Sequence, residues 1–222
     1  MNAPLPQPCL CLVTDRSVGD PKTLVHRVAQ AVEGGVNLVQ LREKDLPGGV
    51  LLALAREIEE AIEGRAVLVI NERIDVALAA LARGVQLGEE AVPVDKARRI
   101  LGPEYIIGRS VHSVEGGLTA QSQGADFLVA GTMFASNSHP GAEPAGPMLV
   151  RRMTKRCSLP VIGIGGIGPE NLRGVIDAGA CGVAVISSIL ASPDPKTAAQ
   201  ELRQALSEAW PDAALRGESN QA

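Results

Sequence analysis

Short apolar runs alternate with longer amphipathic stretches along most of the chain. The runs are Cys9–Thr14, Val36–Leu41, Ala66–Ile70, Gly84–Leu87, Ile106–Ser110, Ala125–Ala130, Pro160–Ile164 and Gly182–Ile186. They are rich in Val, Ile and Leu, the pattern of strands buried on both faces. Helical periodicity fills the gaps. Thr23–Val32 lines up Leu24, Val25, Val28, Ala31 and Val32 on one stripe, and Val50–Ile62 does the same with Leu51, Leu54, Ile58 and Ile62. Asp20-Pro21 and Ser192-Pro193 read as helix starts, because Asp and Ser accept from free amides and Pro suits a first turn. Gly34-Gly35, Gly84, Gly124 and Gly179 read as helix closures, since glycine fits the left-handed position there.

Eight strand–helix units predict the α/β class, with a parallel sheet and right-handed crossovers. In a chain of 222 residues they favour closure into a (βα)8 TIM barrel, a single domain over residues 9–210. An open doubly wound sheet is the alternative. Residues 1–8 and 211–222 read as short flexible tails.

Composition changes this picture by exclusion. The formal net charge is −4 with no basic stripe, and there are one Trp, one Tyr and two Phe. Neither a phosphate-tracking surface nor a base-stacking platform is present, so nucleic acid is not an expected partner. No apolar stretch reaches the roughly 18 residues of a membrane span. Met1–Pro8 lacks the pattern of a signal peptide, so no membrane partner and a cytoplasmic location are expected. Cys9 and Cys11, two apart, share one strand face. With Cys157 and Cys181 they read as small buried hydrophobes in a reducing compartment. A homo-oligomer is left open.

Chemistry in a barrel of this kind collects where strands run out into loops. Nearly all of those positions are polar or glycine: Thr14-Asp15, Gln40, Arg42, Lys44, Asn71-Glu72-Arg73, Glu89-Glu90, Ser110, His112, Thr132 to His139, Gly165-Gly166 and Ser187-Ser188. Gly165 and Gly166 after the seventh run let the backbone approach an anion, and Ile186-Ser187 opens a helical turn after the eighth. Together they form an expected phosphate clasp. Gln40, Arg42 and Lys44 alternate out of the second run toward the mouth, where Arg offers a planar fork to an anion. Ser136–Pro147, with its Pro and Gly, is a candidate lid. His26 falls on a helix and reads as surface or packing.

Five segments in order carry a family resemblance: Gln40-Leu41-Arg42-Glu43-Lys44, Asn71-Glu72-Arg73, Ile107–Ser113, Gly163–Ile167 and Gly182–Ser187. From about Leu10 to Leu206 the chain resembles thiamine phosphate synthases and their thiazole tautomerase (TenI) relatives. The resemblance implies a small phosphorylated thiazole as ligand. Gln40, Arg42, Lys44, Asn71 and Ser110 resemble contacts to an aminopyrimidine pyrophosphate. Ser136 and Ser138, with Asn137 between them, match hydroxyl contacts to the thiazole phosphate, and Gly166, Ile186 and Ser187 its clasp.

Three positions depart from the synthase pattern. Glu72 stands where a magnesium-binding Asp is expected, Ala91 where a second one is, and His139 where a pyrophosphate-binding Lys is. Glu90, one position away, is displaced from the second site. These losses turn the expectation toward a tautomerase, an isomerase that moves a proton within a thiazole carboxylate phosphate and needs no cofactor. Its acid/base candidates are His112 and His139, with Thr132 where the tautomerases place a catalytic His. The alternatives are a thiamine phosphate synthase, with Mg held at Glu72, and a non-catalytic phosphate-ligand binder.

Overall fold

A computed structural model describes residues 5–135 and 143–210. Eight parallel strands close into a ring: β1 (Cys9–Val13), β2 (Leu38–Leu41), β3 (Val67–Asn71), β4 (Gly84–Leu87), β5 (Ile106–Val111), β6 (Phe127–Gly131), β7 (Val161–Ile164) and β8 (Gly182–Val185). Each neighbour pairs in sequence order, and β1 meets β8 with Cys9 opposite Gly182 and Leu12 opposite Val185. The expected (βα)8 barrel is the fold.

The helices between them are α1 (Leu24–Glu33), α2 (Gly48–Ile62), α3 (Ile74–Ala80), α4 (Val94–Leu101), α5 (Val114–Ser122), α6 (Gly146–Thr154) and α7 (Leu172–Asp177). The short α8 (Ser187–Leu190) and the long α9 (Pro195–Ala209) follow β8. Strand alternation explains the two apolar clusters. Leu10, Leu12, Val39, Leu41, Leu68, Ile70, Val85 and Leu87 point out and pack under the helices. Cys9, Cys11, Val13, Leu38, Val69, Ile106, Phe127, Val129, Ile162 and Ala184 point in and fill the barrel. Cys181 joins this inner cluster. All four cysteines are buried and none forms a disulfide, and burial pushes the Cys11 thiol up to about 12.

Several local expectations shift. The run from Asp20 does open a turn: its carboxylate accepts from Lys22 N–H at 3.0 Å over the 3-10 turn Pro21–Thr23, just ahead of α1. The last helix starts at Asp194-Pro195, not Ser192-Pro193. Asp194 accepts from Thr197 N–H and Oγ, while the Ser192 hydroxyl is turned onto the Asp194 backbone. Gly84 does not close a helix; it lies within β4, where a Cβ would come 1.9 Å from the Ile106 carbonyl oxygen. Leu81, at φ 57°, closes α3 instead. Of the expected tails, residues 1–4 and 211–222 lie outside the described residues, and Leu5 is buried with the inner cluster.

Candidate active site

The carboxyl ends of the strands carry the polar residues. Inward positions of β2 and β3 bring Gln40 and Asn71 together, the Gln40 amide donating to Asn71 Oδ1 at 2.9 Å. One pair further round, Gln86 on β4 donates to Ser110 Oγ on β5 at 3.1 Å. Gln86 is buried, and its Oε1 has no partner. It was not among the sequence candidates because it sits inside an apolar run. Yet β2 reads Leu-Val-Gln-Leu and β4 Gly-Val-Gln-Leu, and that repeated triplet marks two glutamines facing one interior.

Beside these amides, Glu43, Lys44, Leu46, Leu51, Asn71, Glu72 and Arg73 line a pocket of about 290 Å³. Glu72 adopts a left-handed backbone (φ 59°) directly after β3. Its carboxylate lies over the next strand's exit, where a Cβ on Gly88 would be 2.3 Å from Glu72 Oε1. Arg73 is turned onto Asp75 by two hydrogen bonds of 2.9 and 2.6 Å, which holds the Asp75 carboxyl below its usual range. Lys44 is exposed at the rim, and Arg42 lines an adjoining pocket of about 400 Å³ with Arg16 and Lys44.

Glu43 sits between those two cations yet is buried. Its Oε2 accepts from Arg16 N–H at 3.2 Å, Arg16 Nε stands 3.6 Å away, and Oε1 has no partner. Burial raises its carboxyl above the usual value of 4.5. Thr14, fully buried, accepts from Arg42 N–H at 2.9 Å, so the β1 and β2 exits are tied together.

On the opposite side, Gly165 (φ 105°) and Gly166 (φ 62°) follow β7. Neither position admits a side chain. A Cβ would lie 2.5 Å from Thr132 Cγ2 at Gly165 and 2.5 Å from the Ala135 carbonyl oxygen at Gly166. Among the described residues, the backbone N–H groups of Gly166 and Ile167 meet no acceptor. Ile186 precedes α8, whose first turn presents the amides of Ser187 and Ser188. The Ser188 hydroxyl donates to the Ile167 carbonyl at 2.6 Å and joins the two halves. Backbone amides with glycine between them form an anion-binding concavity.

The remaining candidates fall apart. His112 is exposed on the rim, its Nδ1 2.7 Å from Glu89 Oε2. Arg109 braces the same loop through the carbonyls of Glu89 and Val92. Thr132 follows β6 directly, its methyl facing Gly165. Ala91 packs on the outer apolar cluster. Ser136, Asn137, Ser138 and His139, like most of the candidate lid, lie outside the described residues. Those residues include no group of three or more His, Cys, Asp or Glu able to hold a metal, and no helix long and apolar enough to cross a membrane.

Residues 10–189 match the model of the thiamine monophosphate synthase family. The chain belongs to that family. A thiamine-phosphate synthase of Desulfitobacterium hafniense (strain Y51) is 44% identical over 195 residues, covering 87% of this chain and 94% of that one. The thiamine biosynthesis bifunctional protein ThiM/ThiE of Symbiobacterium thermophilum is 46% identical over 184 residues; the match spans 82% of this chain but only 38% of that protein. The solved thiamine phosphate pyrophosphorylase of Pyrococcus furiosus superposes with a TM-score of 0.84 at 35% identity, over 91% of this chain and 97% of that one.

These relatives overturn the tautomerase expectation and with it the assignment as an isomerase. The Desulfitobacterium hafniense relative is named a thiamine-phosphate synthase and the Pyrococcus furiosus structure a thiamine phosphate pyrophosphorylase, and neither carries a tautomerase name. The tautomerase reading rested on what was missing at Ala91 and His139. It gave too little weight to what remains, a carboxylate at Glu72 sharing one pocket with Lys44 and Asn71.

Proposed function

We propose that this chain is a thiamine-phosphate synthase, joining an aminopyrimidine pyrophosphate to a thiazole phosphate. The observation that carries the reading is the pocket in which Lys44, Asn71 and Glu72 converge, set within a family whose similar members bear that name. In the reaction, the bond from the pyrimidine methylene to the pyrophosphate oxygen breaks. The thiazole nitrogen supplies the electron pair of the new carbon–nitrogen bond, and pyrophosphate leaves. The two amide pairs, Gln40–Asn71 and Gln86–Ser110, offer directional hydrogen-bonding groups to the polar edge of a pyrimidine. Lys44, Arg42 and the pocket's other donors stabilise negative charge as it accumulates on the departing pyrophosphate. The clasp at Gly166, Ile167, Ser187 and Ser188 holds the thiazole phosphate across the barrel mouth.

Magnesium fits the residues present. Glu72 is a carboxylate with no hydrogen-bond partner among the described residues, aimed over the Gly88 backbone. A hard cation of this kind is commonly held by one or two carboxylates plus substrate phosphates and water, so a cage of three protein ligands is not required. When bound, it neutralises charge on the leaving pyrophosphate. With Ala at position 91, the carboxylates lining the pocket are Glu72 and the buried Glu43, whose Oε2 is taken by Arg16 N–H.

A two-substrate assay tests this. Purified protein with both substrates and magnesium is expected to form thiamine phosphate and pyrophosphate in equal amounts. Glu72→Ala and Lys44→Ala should each lower kcat/KM by roughly 100-fold, the scale of losing one charge-stabilising group. Absence of product from the wild-type chain at any magnesium concentration would overturn the assignment.

A further inference from the structure

The phosphate clasp has its shape imposed from behind. In a trans peptide the C=O and the following N–H point in opposite directions, so anchoring the carbonyl aims the amide. The peptides from Gly165 to Ile167 are trans. The Gly165 carbonyl accepts from Phe134 N–H at 2.9 Å, which turns the Gly166 N–H the other way. The Gly166 carbonyl accepts from the Asn171 side-chain amide at 2.9 Å, which does the same for the Ile167 N–H. The other end of that side chain, Oδ1, accepts from Gly168 N–H at 3.0 Å. Only one orientation of the amide satisfies both bonds, nitrogen toward the carbonyl and oxygen toward the N–H.

An anion is drawn by an amide N–H and repelled by a carbonyl oxygen. With φ of +105° and +62°, the two glycines can place either group toward the mouth. Something outside the loop must choose. Phe134 N–H makes that choice for one peptide and Asn171 for the next. Ser188, donating to the Ile167 carbonyl, anchors a third.

We infer that Asn171 is a positioning residue for phosphate recognition: it holds the Gly166–Ile167 peptide flipped so that the Ile167 amide, and not the Gly166 carbonyl, faces the ligand. It touches no substrate itself. The inference rests on the reading of this loop as the thiazole-phosphate subsite.

Amide-resolved NMR with ligand titration separates the two claims. In the wild type, inorganic phosphate and thiazole phosphate should each shift the Gly166 and Ile167 N–H resonances. In Asn171→Ala the Ile167 response should collapse while that of Gly166, held by Phe134, persists. Affinity for thiazole phosphate should fall roughly tenfold, the equivalent of one hydrogen bond to a charged group. Affinity for the unphosphorylated thiazole alcohol should stay within twofold. Ser188→Ala, a milder change, should weaken phosphate binding in the same direction by a smaller factor. Equal loss of both amide responses, or equal loss of phosphate and alcohol binding, would show a general structural role and overturn the inference. So would wild-type amides that ignore both phosphates. If those amides respond in the predicted way but no thiamine phosphate forms in the two-substrate assay, the clasp stands and the enzymatic reading fails alone.

Discussion

Glu43 lies in a segment with charges on either side, Arg42 and Lys44, and the chain alone invites reading all three as a solvated cluster. Its side chain is only 3% exposed. Burial disfavours the charged form, so its folded-state pKa stands above the unfolded value of about 4.5. A raised pKa contributes stability that is present at low pH and is lost as pH rises through the folded value. Glu43→Gln removes this titration. Its stability relative to wild type should therefore be more favourable at pH 7 than at pH 4, as read from melting temperatures across that range. An unchanged difference would remove the basis for the shift. The residues the sequence failed to mark share this character. Gln86, Glu43 and Asn171 are polar groups facing inward or backward, and a one-dimensional pattern does not say which face of a strand or loop they take. Gln40, Asn71 and Ser110 were legible because they stand at strand exits, where alternation has only two outcomes.

Arg98, in α4, shows what the other end of the barrel is for. Its guanidinium donates to the carbonyls of Gly102, Tyr105 and Gly124 and to Asp126 Oδ2, at 3.1, 2.5, 3.1 and 2.5 Å. Asp126 in turn accepts from Ile107 N–H at 2.7 Å. One side chain thus ties the end of α4 to the entries of β5 and β6, away from the strand exits. Arg98→Ala should cost about 2–4 kcal/mol in urea denaturation, through several carbonyls left unpaired, with KM for the substrates of the proposed reaction unchanged. Strand existence was readable from apolar runs at this scale, but edges moved by a residue or two. Val36 and Asn37 precede β2 because Asn37 Oδ1 accepts from Leu10 N–H and its amide donates to the Pro8 carbonyl, contacts invisible in hydrophobic periodicity. The start of α9 was misplaced because Ser192-Pro193 and Asp194-Pro195 are both competent caps, and only tertiary packing chooses.

At the scale of the whole molecule, the count of eight units and the contrast between apolar strands and polar exits were enough for a closed barrel and the face that carries its chemistry. The particular reaction was not legible in the same way. It hung on single substitutions at Glu72, Ala91 and His139, and weighting absent ligands above present ones led to an isomerase. The geometry of Glu72 over Gly88, in the same pocket as Lys44, is a property of the pairing of β2, β3 and β4, since those residues come from different strand exits.

The pairing of β1 with β8 also fixes an order of events during synthesis. The first strand of the barrel waits for its second neighbour until Gly182–Val185 has left the ribosome. Until then the sheet has two open edges, and Cys9 and Cys11 line a trough rather than an enclosed interior. A ribosome-stalled chain ending at Ala180 should be alkylated readily at both thiols, whereas one extended past Trp210 and clear of the exit tunnel should be protected. Until the last strand arrives, the nascent chain thus presents unpaired strand edges of the kind that template edge-to-edge association.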